Sequence, residues 1–161
     1  MTLPEKQQQI TARLAEFGSV QQRLNWLVDQ ARARPALPRE LCAEAQRVPG
    51  CLARLWFVAA FRDGACQFQT ESDSLIIKAI AGLLCDLYSG QAPADILAHD
   101  PSFLAEFGIH QHLTPNRRNS LARIWGEIRR FAEAQDSIRK AGNQEANNGR
   151  PLPGTSSGGR P

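Results

Sequence analysis

Hydrophobic positions near the start of the chain recur at helical spacing. Ile10, Leu14 and Phe17 share one face behind a capping box of Thr2 with Glu5, and Gly18 ends that segment. Ser19 with Gln22 opens a second helix, whose apolar side carries Leu24, Leu27, Val28 and Ala31 and which stops at Pro35. Residues 36–47 read as a proline-interrupted connector with room for one helical turn. The period then changes. Residues 52–61 and 65–70 are runs of strand formers flanking Arg62-Asp63-Gly64, and Asp-Gly between two such runs predicts a hairpin. With Asp63 and Gly64 as the turn, Phe61 opposes Cys66, Ala59 opposes Phe68 and Phe57 opposes Thr70. Leu55, Phe57, Phe61, Cys66 and Phe68 then make the core face, and Arg54, Val58, Gln67 and Gln69 the outer one. A third strand is expected at residues 46–48, paired ahead of the Pro49-Gly50 turn.

Helical spacing returns after Ser72-Asp73-Ser74, an N-cap cluster. Ile76, Ile80, Leu83, Leu84 and Leu87 dominate the helix behind it, and Gly90 stops it. Short helical pieces are expected around residues 94–98 and 101–107, the second capped by Asp100. Thr114-Pro115 opens a long last helix with Leu121, Ile124, Ile128, Phe131 and Ile138 in its core pattern. The order predicts an α+β fold, a small three-stranded antiparallel sheet with helices packed on one face. From residue 141 the sequence is polar and rich in glycine and proline. Residues 1–140 are therefore expected as one domain and residues 141–161 as a disordered tail.

Composition narrows the function classes. The 161 residues are 42% hydrophobic and 22% charged, with a net charge of +3. The basic residues are scattered, so no nucleic-acid partner is indicated. No apolar run approaches the about 18–20 residues of a membrane span, and the first residues are too polar for a signal peptide. A cytoplasmic, reducing setting is the expectation, in which the four cysteines stand as separate thiols rather than a disulfide framework.

Those thiols differ in setting. Cys66 alternates with Phe68 on the core face and reads as structural. Cys85 lies on its helix away from the Ile76, Ile80 and Leu87 stripe, at the surface or in a second contact. Cys42 sits in the connector. Cys51 is at the seam between the Pro49-Gly50 turn and a strand, where Gly50 lets another molecule approach the sulfur. Two readings of Cys51 stand side by side: a reactive thiol, and a small residue at a strand start. Reactivity needs the thiolate, which positive charge or a helix N-terminus favours, and the last helix carries Arg117 and Arg118 in its first turn. Activating partners of the hydrolase kind are missing: there is no G-x-S-x-G, no phosphate loop and no Cys–His pair at a family spacing. His110-Gln111-His112, with His99 behind it, lacks a third ligand at metal-site spacing and reads as solvent-facing. No metal and no resident cofactor are expected.

Taken together, four stretches add a resemblance. "VPGC" with Trp56 five residues on, "ESDSLIIKAIAGLL", "LYSGQAPADIL" and "LTPNRRNSL" resemble, in order and spacing, the SufE family of cysteine-desulfuration proteins. The family's sulfur-accepting cysteine falls on Cys51, its helix start on Ser72, Asp73 and Ser74, and its S/T-P-S-R-x-N-G stretch on residues 114–120. The sequence departs at Leu52-Ala53-Arg54, where Gln-Ser-Gln is usual, and at Ala79 and Ser120, where glycine is usual. The resemblance implies a SufE-like fold and a sulfur carrier, not a stand-alone enzyme. Such a protein takes persulfide sulfur from a pyridoxal-phosphate cysteine desulfurase and stimulates it. It delivers the sulfur to an iron–sulfur scaffold or another acceptor. Gly50, Asp73, Arg117 and Asn119 are expected to support the Cys51 loop or meet the partner, or else only to cap helices and solvate the surface. Two rival roles stay open, a metal- or cluster-binding scaffold and a purely regulatory desulfurase partner. So does a homodimer, which would bring two copies of Cys51 together.

Overall fold

The computed structural model describes residues 1–149 of the 161-residue chain. Helix α1 (Leu3–Ala15) starts at the expected capping box, with Glu5 N–H donating to Thr2 Oγ1 and Thr2 N–H donating to the Glu5 carboxylate. Helix α2 (Val20–Ala33) is capped by Ser19. Two single 3-10 turns, Arg39–Leu41 and Glu44–Gln46, fill the connector.

The hairpin has the register that its turn predicts. Strands β1 (Leu55–Arg62) and β2 (Ala65–Ser72) are antiparallel, with Phe57 opposite Thr70, Ala59 opposite Phe68 and Phe61 opposite Cys66. Asp63 (φ 52°) and Gly64 (φ 78°) both adopt left-handed backbone, as a two-residue hairpin turn demands. Leu55, Cys66 and Phe68 are buried and Phe57 is half-buried, but Phe61 is 40% exposed because the hairpin tip runs past the helices beneath it. The expected third strand shrinks to one bridge, Arg47 opposite Trp56, so the sheet has two strands. A 3-10 turn ends at Gln46, and Pro49 has no N–H to continue a ladder.

Helix α3 (Leu75–Tyr88), capped by Ser74, lies at the centre. It packs against β2, α2, the last helix and α1, and is buried on nearly every side. Cys85 falls on one of these contacts and is 2% exposed. Short helices α4 (Pro93–Ala98), α5 (Phe103–Glu106) and α6 (Ile109–His112) follow, and Asp100 accepts a hydrogen bond from Ser102 N–H just ahead of α5. Helix α7 (Pro115–Asn148) is capped by Thr114 and buries Ser120, Ile124, Ile128, Ala132 and Asp136. Phe131 meets Phe68 edge-on, with ring centroids 5.8 Å apart. Ile138, expected in the core, is 65% exposed, since by then α7 has run beyond the helices it packs on. Residues 141–148, expected in the tail, extend α7 with every side chain exposed, and residues 150–161 lie outside the described part. Among the described residues no helix is long and apolar enough to cross a membrane.

Candidate functional site

Cys51 sits in a six-residue loop, 49–54, closed by a backbone hydrogen bond from Val48 N–H to Leu55 O at 2.8 Å. The in–out alternation of β1 reaches back through this loop. Cys51 and Ala53 are half-buried and packed against the core, while Leu52 and Arg54 point outward. The thiol is thus tucked between an apolar floor and solvent.

Both ends of the loop are tied down. At the first, Gly50 has φ +80°, a left-handed conformation costly for any other residue, and Asn119 Nδ2 donates to its carbonyl at 2.9 Å. A Cβ at residue 50 would also lie 3.0–3.2 Å from the Arg123 guanidinium, which would have to shift, so the left-handed backbone is the main reason for glycine there. At the other end, Arg54 N–H donates to Asp73 Oδ1 at 2.9 Å, and Arg54 O accepts from Ser72 Oγ at 2.7 Å and from Asp73 N–H at 3.2 Å. The Ser72-Asp73-Ser74 cluster therefore caps α3 through Ser74 and holds the loop through its other two members. Helix α7 supplies Asn119 and Arg123 one turn apart on one face.

Three of the four predicted supporting residues converge on this loop: Gly50, Asp73 and Asn119. Arg117 does not hold it. Its N–H completes the α7 cap on Thr114, and its half-buried side chain lines a narrow crevice between α3 and α7 beside Ile77, Ile80 and Ile124. Sequence reasoning missed Arg123, and took Ser72 only as part of a helix start rather than as a loop partner. The signal for Arg123 was its position four residues after Asn119, on the same face of a predicted helix.

The other thiols are placed otherwise. Cys66 is wholly buried, and burial pushes its thiol up to about 11. Cys85 is raised by burial and by neighbouring Asp86, only partly offset by Arg34. Cys42 is half-buried with its Sγ 4.0 Å from Leu37 O, and is raised by burial and by the Glu71 charge. His110 and His112 are exposed on α6, while His99 Nδ1 lies 2.8 Å from Asp95 O. Among the described residues no three His, Cys, Asp or Glu side chains converge.

Comparison with known proteins gives the same outline. Residues 8–132 match the SufE family model, an Fe-S metabolism associated domain. An uncharacterised SufE-like protein of Synechocystis sp. is 27% identical over 124 residues, which cover 77% of this chain and 78% of that protein. The sulfur acceptor protein CsdE of Escherichia coli is 28% identical over 97 residues, covering 59% of this chain and 66% of CsdE. The fold is similar to the solution structure of a hypothetical protein from Thermus thermophilus, with a TM-score of 0.67 at 23% identity, covering 83% of this chain and 97% of that one.

Proposed function

The chain belongs to the SufE family of Fe-S metabolism associated domains, and on that premise we propose that it is a sulfur acceptor and carrier with Cys51 as the acceptor. The donor is the persulfide of a pyridoxal-phosphate cysteine desulfurase, Cys–S–SH. The Cys51 thiolate attacks the outer sulfur, a new S–S bond forms to Cys51, the donor's S–S bond breaks, and the desulfurase thiolate leaves. No external oxidant or reductant is needed, because the sulfur moves as a neutral atom between two thiolates. Attack on the inner sulfur would instead join the two proteins by a disulfide and expel hydrosulfide, so the geometry of approach must select the outer atom. Drawing sulfur away frees the desulfurase for its next turnover, and the carrier then yields its persulfide to an iron–sulfur scaffold or another acceptor.

The observation that carries this reading is the setting of Cys51, half-buried in a solvent-facing loop that is held at both ends. Such a loop can shelter a persulfide against the core at rest and present it to a partner at the surface. A cluster scaffold needs several converging donors, and Cys66 and Cys85 are closed inside the core. Intact-protein mass spectrometry after incubation with a cysteine desulfurase and L-cysteine tests the proposal. A gain of about 32 Da, one sulfur atom, is expected on the wild type and not on Cys51→Ser. An unmodified wild type beside an active, matched desulfurase would sink it.

A further inference from the structure

The residues around Cys51 that point away from the core are unusual for a solvated loop tip. Leu52 is 81% exposed, the most exposed of the large hydrophobic side chains among the described residues, and it directly follows the acceptor cysteine. Arg54 is exposed two residues on, and Arg123 is exposed with its guanidinium against Gly50. Among the described residues neither arginine has a carboxylate within 4.0 Å. The nearest acid in the loop's own network, Asp73, spends one oxygen on the Arg54 backbone N–H. An apolar side chain beside two unpaired cations is thus carried on a loop fixed at both ends.

Resting on the carrier reading, we propose that Leu52, Arg54 and Arg123 form a docking patch that selects the desulfurase. They fit an active-site entrance with an apolar socket for Leu52 and a carboxylate rim for the two arginines. Leu52 and Arg54 lie on the Cys51 loop and Arg123 against Gly50 beside it, so the surface that recognises the partner would also set the approach to its persulfide. A second copy of this chain is a poorer occupant. A two-fold contact centred on the loop would set Arg54 and Arg123 of one copy against the same cations of the other. An acidic rim turns those charges from a penalty into steering, which weakens as salt is added.

The test measures initial rates of Cys51 persulfidation by the source organism's own cysteine desulfurases, at rising potassium chloride, for wild type, Leu52→Gln, and the pair Arg54→Glu with Arg123→Glu. Each protein's rate is divided by its own rate with sodium disulfide, a small donor that needs no docking patch. Misfolding or a dulled thiol would lower both rates and leave the ratio unmoved. Leu52→Gln is expected to lower the ratio about 10-fold or more, through KM rather than kcat, as loss of a buried leucine contact should. The charge-reversed pair is expected to lower it further and to abolish the fall of the wild-type rate with salt. Unchanged ratios in both variants would overturn the patch. So would sedimentation showing that the free wild type is a dimer which Leu52→Gln splits, since the patch would then serve a second copy. A wild type that takes sulfur from sodium disulfide and from no desulfurase would instead overturn the carrier reading, and the patch with it.

Discussion

Two side chains hold opposite ends of the Cys51 loop, and they are separable. Asn119 holds the Gly50 carbonyl, and Asp73 holds the Arg54 N–H. A hydrogen bond of this kind contributes on the order of 1 kcal/mol, somewhat more with a charged partner. Asn119→Ala is expected to raise hydrogen exchange at residues 50–53 by about 10-fold while the Arg54 amide keeps its protection. Asp73→Ala should do the reverse, exposing the Arg54 amide, and Asp73→Asn should restore most of it because an amide oxygen still accepts. Equal deprotection of the whole loop by either variant would mean that it opens as one unit. The sequence reached these residues unevenly. Gly50 and Cys51 were legible because a Pro-Gly turn beside a cysteine is a local signal. For Asn119 and Asp73, loop support stood beside partner contact and helix capping as open readings, since their loop partners lie 69 and 19 residues away in the chain. Arg117 does not reach the loop, and Arg123 occupies the place beside it.

The elements meet at a carboxylate that opens the ESDSLIIKAIAGLL stretch but whose bonds across elements no motif indicated. Glu71, the penultimate residue of β2, accepts from Leu37 N–H after α2 at 3.1 Å, from Ser72 N–H at 3.1 Å, and from Lys78 Nζ on α3 at 3.1 Å. Burial alone would raise its carboxyl, but the hydrogen bonds from Leu37, Lys78 and Ser72 outweigh it, and it stays below its ordinary 4.5. A carboxyl depressed by folding contributes stability above its unfolded value, and that contribution fades as pH drops through the lower folded value. Glu71→Gln is therefore expected to cost about 1–3 kcal/mol in urea unfolding at neutral pH. The difference from wild type should narrow when the same measurement is made at about pH 3.5. A gap that is constant with pH would show that packing, not charge, is what the substitution removes. Periodicity found β2 and α3 correctly but was blind to this joint. Alternation and helical spacing report which face of an element is apolar, not which polar side chain reaches across to the next element.

Seen whole, the molecule packs the hairpin and α2 against α3, and α7 packs on α3 and β1, bringing residues 50, 73 and 119 to one end. Local signals gave the helix caps, the hairpin register and the α+β class. They failed where an element outruns its partners: Phe61 at the hairpin tip and Ile138 on α7 follow the apolar pattern with nothing left to cover them. The same reasoning bears on the end of the chain. The last buried position of α7 is Asp136, paired with Arg139 at 3.3 Å and Lys140 at 2.9 Å, and residues 141–148 are exposed on every side. A helix stretch that buries nothing adds little beyond its own marginal propensity. We propose that residues 1–140 are the complete sulfur-accepting unit. Truncation after Lys140, which spares both ion pairs of Asp136, is expected to shift the Tm by no more than about 2 °C. The desulfurase-driven mass gain on Cys51 should persist at the full-length rate. A Tm drop of more than about 5 °C would give the end of the chain a structural role. An unchanged Tm with slower sulfur uptake would instead assign residues 141–161 to the partner, separate from the loop that carries the sulfur.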